Sequence, residues 1–326
     1  MGLRGNYPGE RLLGEEIPGG QPLIEGFMWQ RDNTILMGAE KSGKSILGMQ
    51  IAAALTTQEP FLGEYEVPKA VNVAYVQAEG KVHDTQSNLR NMVKVIPFDA
   101  SRFCLFYYPS IALDKPEGYQ FLIEEINKWK KPDVIILDPL YMLMSGDMID
   151  NVAARDMVRN MRQLGEHYDA TLLIIHHAHR PKRTEEGHVM DEGDDSIFGS
   201  FVWKAFVDQV YYLRNGRDKI RQLSCDTQRM GKCVEKLTLR LVEPVPLYFQ
   251  IAGEGEVARP TEEIIKKAIT KLDELTIKSI LTESQASKRH IWNVVSSLVA
   301  AGMLQPIQTV GEATRWIKVS PKGWGG

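Results

Sequence analysis

Cysteine is scarce in this 326-residue chain: only Cys104, Cys225 and Cys233 occur, with no C-x-x-C pair of the kind that ligates metal. So low and odd a count excludes a disulfide framework and leads to the expectation of free thiols in a reducing compartment. No apolar run approaches the ~18 residues that a membrane helix needs. Met1–Gly9 lacks an apolar centre and does not read as a signal peptide, so the expected location is the cytoplasm, of a cell or of a virus-infected cell. A basic excess is missing too: 39 Lys and Arg stand against 42 Asp and Glu, a net charge of −3. Contact with a nucleic acid would have to come from local patches, not from the field of the whole chain. What remains, 43% hydrophobic and 25% charged residues, is an ordinary globular balance, and the length suits one large domain and a smaller one.

Against that background one stretch stands out. Gly38-Ala39-Glu40-Lys41-Ser42-Gly43-Lys44-Ser45 reads G-x-x-x-x-G-K-S, the phosphate-binding loop of nucleoside triphosphatases. It follows a short apolar strand, Thr34–Met37, and precedes a helical pattern, Ile46–Leu55, which is the context the motif needs. Backbone N–H groups and the positive end of the helix attract phosphate. Gly38 and Gly43 permit close approach, Lys44 reaches the outer phosphates, and the Ser45 hydroxyl suits Mg²⁺. The expected nucleotide contacts run from Gly38 to Ile46, with ATP and Mg²⁺ as ligands.

Around this loop, residues 1–30 read as an N-terminal arm, although Pro22–Trp29 has the apolar content to pack on a core. Residues 31–252 alternate strand-like and helix-like runs. Strands are predicted at Ala70–Gln77, Arg102–Tyr107, Val134–Asp138, Thr171–His176, Gln209–Leu213, Gln222–Asp226 and Glu235–Leu241. Helices are predicted at Thr85–Lys94, Pro116–Lys128, Val152–Tyr168 and Phe201–Val207. Alternation of this kind predicts an α/β fold with a mostly parallel sheet flanked by helices, and the later strands read as antiparallel additions at its edge. Two polar stretches, Ser145–Asn151 and His179–Ser196, read as functional or disordered loops. A linker at 253–260 leads to residues 261–326, where three helices and a hairpin suggest a small winged-helix domain.

Several further residues fit a hydrolysis site. Asp138 closes a buried strand, where a carboxylate either holds Mg²⁺ beside the phosphates or merely caps the turn before Pro139. Glu79, after the strand ending at Gln77, either orients and deprotonates an attacking water or is a solvated loop residue. His176 and His177 end another strand. His176 is the candidate for polarising or sensing the γ-phosphate, against a structural role or a zinc pair with His179. Neighbours on a strand point to opposite faces, so the two poorly chelate one ion. Arg229, at a hairpin tip, either reaches a neighbouring subunit's nucleotide or is solvated, with Arg214, Arg217 and Arg221 as competitors. Arg180, Lys182 and Arg183 form a basic loop segment that suits DNA phosphate, although acidic residues follow it. Lys288 and Arg289 start the presumed recognition helix, which in a winged helix meets either DNA or protein.

With these positions named, residues of about 20–245 resemble the RecA-like P-loop ATPases, and within them the RepA-like hexameric helicase group. The likeness is carried by Pro22–Gly26, Gly38–Ser45, Pro60–Gly63, Val76–Glu79, Ile136–Leu140, His176-His177, and Gly199-Ser200 leading to Asp208. The resemblance implies a homo-oligomeric ring or filament, with ATP between neighbours and Arg229 supplied in trans. It implies single-stranded DNA along a central channel lined by the two polar loops. Related proteins often carry lysine two residues before the finger arginine, where this chain has Thr227. A motor of the replicative-helicase type is the first expectation, a filament-forming recombinase or repair ATPase the second, and an ATP-gated winged-helix regulator the third.

Overall fold

The computed structural model describes residues 8–14, 19–146, 150–177, 201–216, 218–228, 236–252, 261–273, 275–284, 291, 294, 295, 298, 299, 303–307 and 315–318. The chain divides into two compact units, Met1–Ala252 and Gly253–Gly326.

The first unit begins with a short helix α1 (Gly9–Gly14) and a two-stranded ribbon, β1 (Pro22–Ile24) and β2 (Met28–Trp29). Then come β3 (Asn33–Gly38), α2 (Lys44–Thr57), β4 (Val73–Gln77), α3 (Val82–Met92), β5 (Phe103–Tyr107), α4 (Pro116–Asn127) and β6 (Val134–Asp138). They are followed by α5 (Asn151–Tyr168), β7 (Thr171–His177), α6 (Phe201–Phe206), β8 (Gln209–Asn215), β9 (Ile220–Gln228), β10 (Leu237–Val242) and β11 (Tyr248–Ile251). One nine-stranded sheet takes the order β11-β10-β9-β8-β3-β7-β6-β4-β5. From β8 to β5 every pairing is parallel, and from β8 to β11 every pairing is antiparallel. The expected antiparallel addition starts at β9, because β8 still pairs in parallel with β3.

Alternation along the strands explains why helices cover both faces. Ile35, Met37, Ile135, Leu137, Leu172 and Ile174 point to one side, under α4, α5 and α6. Leu36, Val134, Ile136, Leu173 and Ile175 point to the other, under α2 and the β1–β2 ribbon. With both faces covered, the central strands are continuous apolar runs, as buried parallel strands are. Leu23, Ile24, Phe27 and Met28 belong to this second layer, so the core takes in part of what reads as an arm.

The second unit contains α7 (Thr261–Lys271), β12 (Leu275–Thr276), α8 (Ile277–Ser284), β13 (Leu304–Ile307) and β14 (Arg315–Lys318), with strand order β12-β14-β13. Residues 291, 294, 295, 298 and 299 are helical, and Ile291 is wholly buried with Ile265, Ile269 and Trp316.

Cys225, on β9, is disulfide-bonded, whereas Cys104 is free. This corrects the expectation of free thiols: three cysteines exclude a framework but not a single bridge. Cys233 lies outside the described residues.

At the end of the sheet away from the phosphate loop, Asp32 is half-buried near Asp208 and accepts a hydrogen bond from Gln209 Nε2 at 3.3 Å. Burial, and then the Asp208 charge, push its carboxyl from 3.8 up to about 6. The folded state therefore disfavours the ionised form. That penalty builds as pH rises from about 4 to about 6 and is complete at neutral pH. Replacing Asp32 by Asn should raise stability at pH 7.5 by ~1 kcal/mol, the full shift being discounted for solvent screening, and Tm by ~3 °C. Thermal unfolding at pH 7.5 and pH 4 checks this: the gain should vanish at the lower pH, and an equal gain at both would contradict it.

Candidate functional site

The carboxyl ends of β3, β7, β6 and β4 lie level with one another and form the floor of the site. Gly38 pairs with His177 across β3 and β7, and Gln77 with Asp138 across β4 and β6. The loop between β3 and α2 rises from this floor. Helix α2 is preceded by Gly43 at φ 97°, has no side-chain cap and carries no acid in its first turn. Its first N–H groups are thus left for an anion. Gly38 is equally constrained: a β-carbon there would lie 2.4 Å from the Leu213 carbonyl oxygen and 2.9 Å from Ser42 Oγ.

Lys44 is the first residue of α2 and is only 4% exposed. Its Nζ donates to the carbonyl oxygens of Gly38 at 2.9 Å and Ala39 at 2.8 Å, and lies 3.2 Å from His177 Nδ1. Burial brings the ammonium down to about 8, against the pull of Asp138, Glu79 and Glu40. Lysine only donates, so His177 Nδ1 accepts, and a neutral ring then carries its proton on Nε2. Nε2 faces Glu79 Oε1 at 3.7 Å. Burial, and then Lys44, lower the His177 pKa, which agrees with a neutral ring.

Glu79 follows β4, beyond Gln77. Gln77 Nε2 donates to the Glu79 carbonyl at 2.6 Å, and Thr85 Oγ1 in turn donates to Gln77 Oε1 at 2.8 Å. The other Glu79 oxygen, Oε2, accepts from Tyr141 Oη at 2.5 Å. Asp138 is 4% exposed, and its Oδ2 accepts from the buried hydroxyl of Tyr75 at 2.5 Å. Burial raises the Asp138 pKa, while hydrogen bonds from Tyr75 and Ser45 and the Lys44 charge oppose the rise. The Ser45 hydroxyl and Asp138 carboxylate are hard oxygen donors set side by side. Two protein oxygens of this kind fit Mg²⁺, which keeps several waters and shares phosphate oxygens. Among the described residues no group of three His, Cys, Asp or Glu is placed to hold a metal without such help.

The structure thus gathers Gly38–Ser45, Glu79, Asp138 and a histidine at one place. The histidine is His177, not His176. His176 is 3% exposed and shares the parity of Leu172 and Ile174, which pack under α5 and α6, while His177 shares that of Ile175, over α2. Strand alternation makes the choice, because adjacent side chains cannot both reach the loop. Arg229, Arg180, Lys182, Arg183, Lys288 and Arg289 lie outside the described residues, as does Arg217. Of the competing arginines, Arg221 braces the loop itself, donating from Nε to the Ser42 carbonyl at 3.0 Å. Arg214 lies over the Tyr212 ring at 4.6 Å. Sequence reasoning misses Tyr75 and Tyr141. Tyr75 carries a weak signal, a polar hydroxyl within an apolar strand. Tyr141 carries none.

A phosphate loop between a central parallel strand and its helix, with one acidic residue closing β6 and another just beyond β4, defines a P-loop nucleoside triphosphatase core. A family model described as an AAA domain matches residues 9–183, and the chain belongs to that family. Its core is RecA-like. Among solved structures, one ATPase domain superposes with a TM-score of 0.51 at 11% identity, covering 69% of this chain and 86% of that one. The RadB recombinase gives 0.48 at 15% identity, over 69% and 92%. A KaiC-like protein from the hyperthermophilic archaeon Pyrococcus horikoshii OT3 gives 0.47 at 12%, over 71% and 94%. No curated protein matches the chain. At 11% identity the likeness to that ATPase domain is one of fold.

Tyr75 ties the floor together, so its hydroxyl is the sharpest test of this arrangement. In Tyr75→Phe, buried Asp138 loses a charge-assisted donor, which should cost ~1–3 kcal/mol of stability. Thermal unfolding of Tyr75→Phe against wild type checks this. No loss of stability would mean that the hydroxyl does not hold Asp138.

Proposed function

We propose that this protein is an ATP-hydrolysing, oligomeric motor of the replicative-helicase type that acts on single-stranded DNA. The observation that carries the hydrolytic half is the convergence of Lys44, Glu79, Asp138 and His177 on the mouth of the phosphate loop. In this reading Gly38–Ile46 wraps the phosphates, and Lys44 exchanges its bonds to the Gly38 and Ala39 carbonyls for phosphate oxygens. Ser45 and Asp138 would hold Mg²⁺, which supplies charge neutralisation at the phosphates. Glu79, aimed by Tyr141 and His177, orients water and accepts its proton. Neutral His177 connects Lys44 to Glu79, so a change at the γ-phosphate reaches the base through one ring.

The DNA half rests on the RecA-like fold and on the notion of a shared site. Arg229 supplied by a neighbour would complete the nucleotide pocket, and the ring would be hexameric. Arg180, Lys182 and Arg183 would meet the strand's phosphates. In residues 261–326, which we read as a winged helix, Lys288 and Arg289 are the candidate DNA contacts; burial of Ile291 keeps that side chain from reading bases. No described helix is long and apolar enough to cross a membrane.

Two measurements test the reading. Glu79→Gln should bind ATP within about threefold of wild type and hydrolyse it ~10²–10⁴-fold more slowly, as expected on losing a general base. Unchanged turnover would remove Glu79 from the mechanism. The intact chain in ATP and Mg²⁺ should unwind a forked duplex and run at the mass of a ring. Strand exchange on a continuous filament without unwinding would favour the recombinase, and a discrete footprint on one duplex sequence the regulator.

A further inference from the structure

The phosphate loop has a wall that the parallel sheet does not provide. A β-carbon built on Gly43 would lie 2.7 Å from Cζ and 3.2 Å from Cε2 of Phe249, so the phenyl ring fills the space that glycine leaves open. Phe249 is on β11, at the far edge of the sheet, with β10, β9 and β8 between it and β3. It reaches the loop because β11 is tied down on α2. Gln50, in the middle of α2 and 2% exposed, bonds the backbone of Phe249 twice. Its Nε2 donates to the Phe249 carbonyl at 2.8 Å, and its Oε1 accepts from the Phe249 N–H at 2.7 Å. One side-chain amide thus plays the part of a neighbouring strand, and any swing of Phe249 leaves buried polar groups unpaired. Arg221, on β9, holds the preceding residue through the Ser42 carbonyl. The antiparallel strands therefore grip the loop at two consecutive residues.

We propose that Phe249, pinned by Gln50, is a positioning residue for nucleotide binding: its ring holds Gly43 in the left-handed conformation that points the loop's N–H groups at the phosphates. Glycine is the most permissive residue in the chain, and a loop free at Gly43 spends part of its time in shapes that do not bind. Apparent affinity falls by the fraction lost. The ring blocks those alternatives without touching the ligand. The inference rests on reading Gly38–Ser45 as the phosphate loop.

Isothermal titration of the full chain with ATP and Mg²⁺, well below each variant's unfolding temperature, tests both. Failure of the wild type to bind would overturn the loop reading and this inference with it. Given wild-type binding, Phe249→Leu, which keeps an apolar side chain but lacks the Cζ and Cε atoms, should weaken ATP binding at least about tenfold. Gln50→Leu, which cuts both tethers, should do the same. In each, kcat at saturating ATP should stay within about threefold, so that the effect falls on KM. Gly43→Ala should bind worse than either, and adding Phe249→Leu to it should recover about threefold or more by removing the clash. A ring that serves only the core would lower Tm and leave affinity unchanged in Phe249→Leu and Gln50→Leu. That result, or a double variant no better than Gly43→Ala alone, would overturn the proposal.

Discussion

A cation buried at the positive end of a helix is in an unfavourable place, and Lys44 is there. The first turn of α2 has no acid and no capping side chain, so its N–H groups and the Lys44 ammonium add to one positive field. Burial brings the pKa of that ammonium down to about 8, against the pull of the nearby carboxylates. Around it stand the groups that make it tolerable: the carbonyls of Gly38 and Ala39, the ring of His177, and the more distant charges of Asp138, Glu79 and Glu40. Open N–H groups and an ammonium gathered at the start of one helix suit a multiply charged anion.

The fold holds that arrangement level. Strands β3, β7, β6 and β4 are buried on both faces, so each is fixed in register by packing from two sides. Their registers bring Gly38 beside His177 and Gln77 beside Asp138. A slip of one residue would exchange His177 for His176 and turn Asp138 away from Ser45. The antiparallel strands add a second support, reaching the loop from the side through Arg221 and Phe249. Their tether, Gln50, lies on the same helix whose first turn forms the binding site, so the loop, its helix and the sheet edge make one closed set of contacts.

Much of this is legible in the chain. Val134–Asp138 is bounded to the residue, because an all-apolar run ending in Asp-Pro leaves little choice. The phosphate loop and its flanking strand and helix are equally plain, since a motif with fixed positions carries its own geometry. The parallel pairing of β8 is hidden, because β8 is buried like a parallel strand yet joined to β9 like a hairpin strand. Leu23, Ile24, Phe27 and Met28 show their core role through apolar content alone, although they sit in a Gly- and Pro-rich lead-in. The choice between His176 and His177 is not legible, because it depends on Ile175 facing α2, which only the folded sheet fixes. Tyr141, Gln50 and Phe249 have no local signal: each matters through a partner at least 62 residues away.

On the proposed function, the Lys44 ammonium is the centre of a working ATP site. Steady-state phosphate release from ATP and Mg²⁺ by Lys44→Ala, beside wild type and with both chains shown to be folded, tests it most directly. Wild type should turn over, and the variant should lose at least ~10³-fold in kcat/KM, about 4 kcal/mol of transition-state stabilisation. Turnover by Lys44→Ala within tenfold of wild type would contradict it.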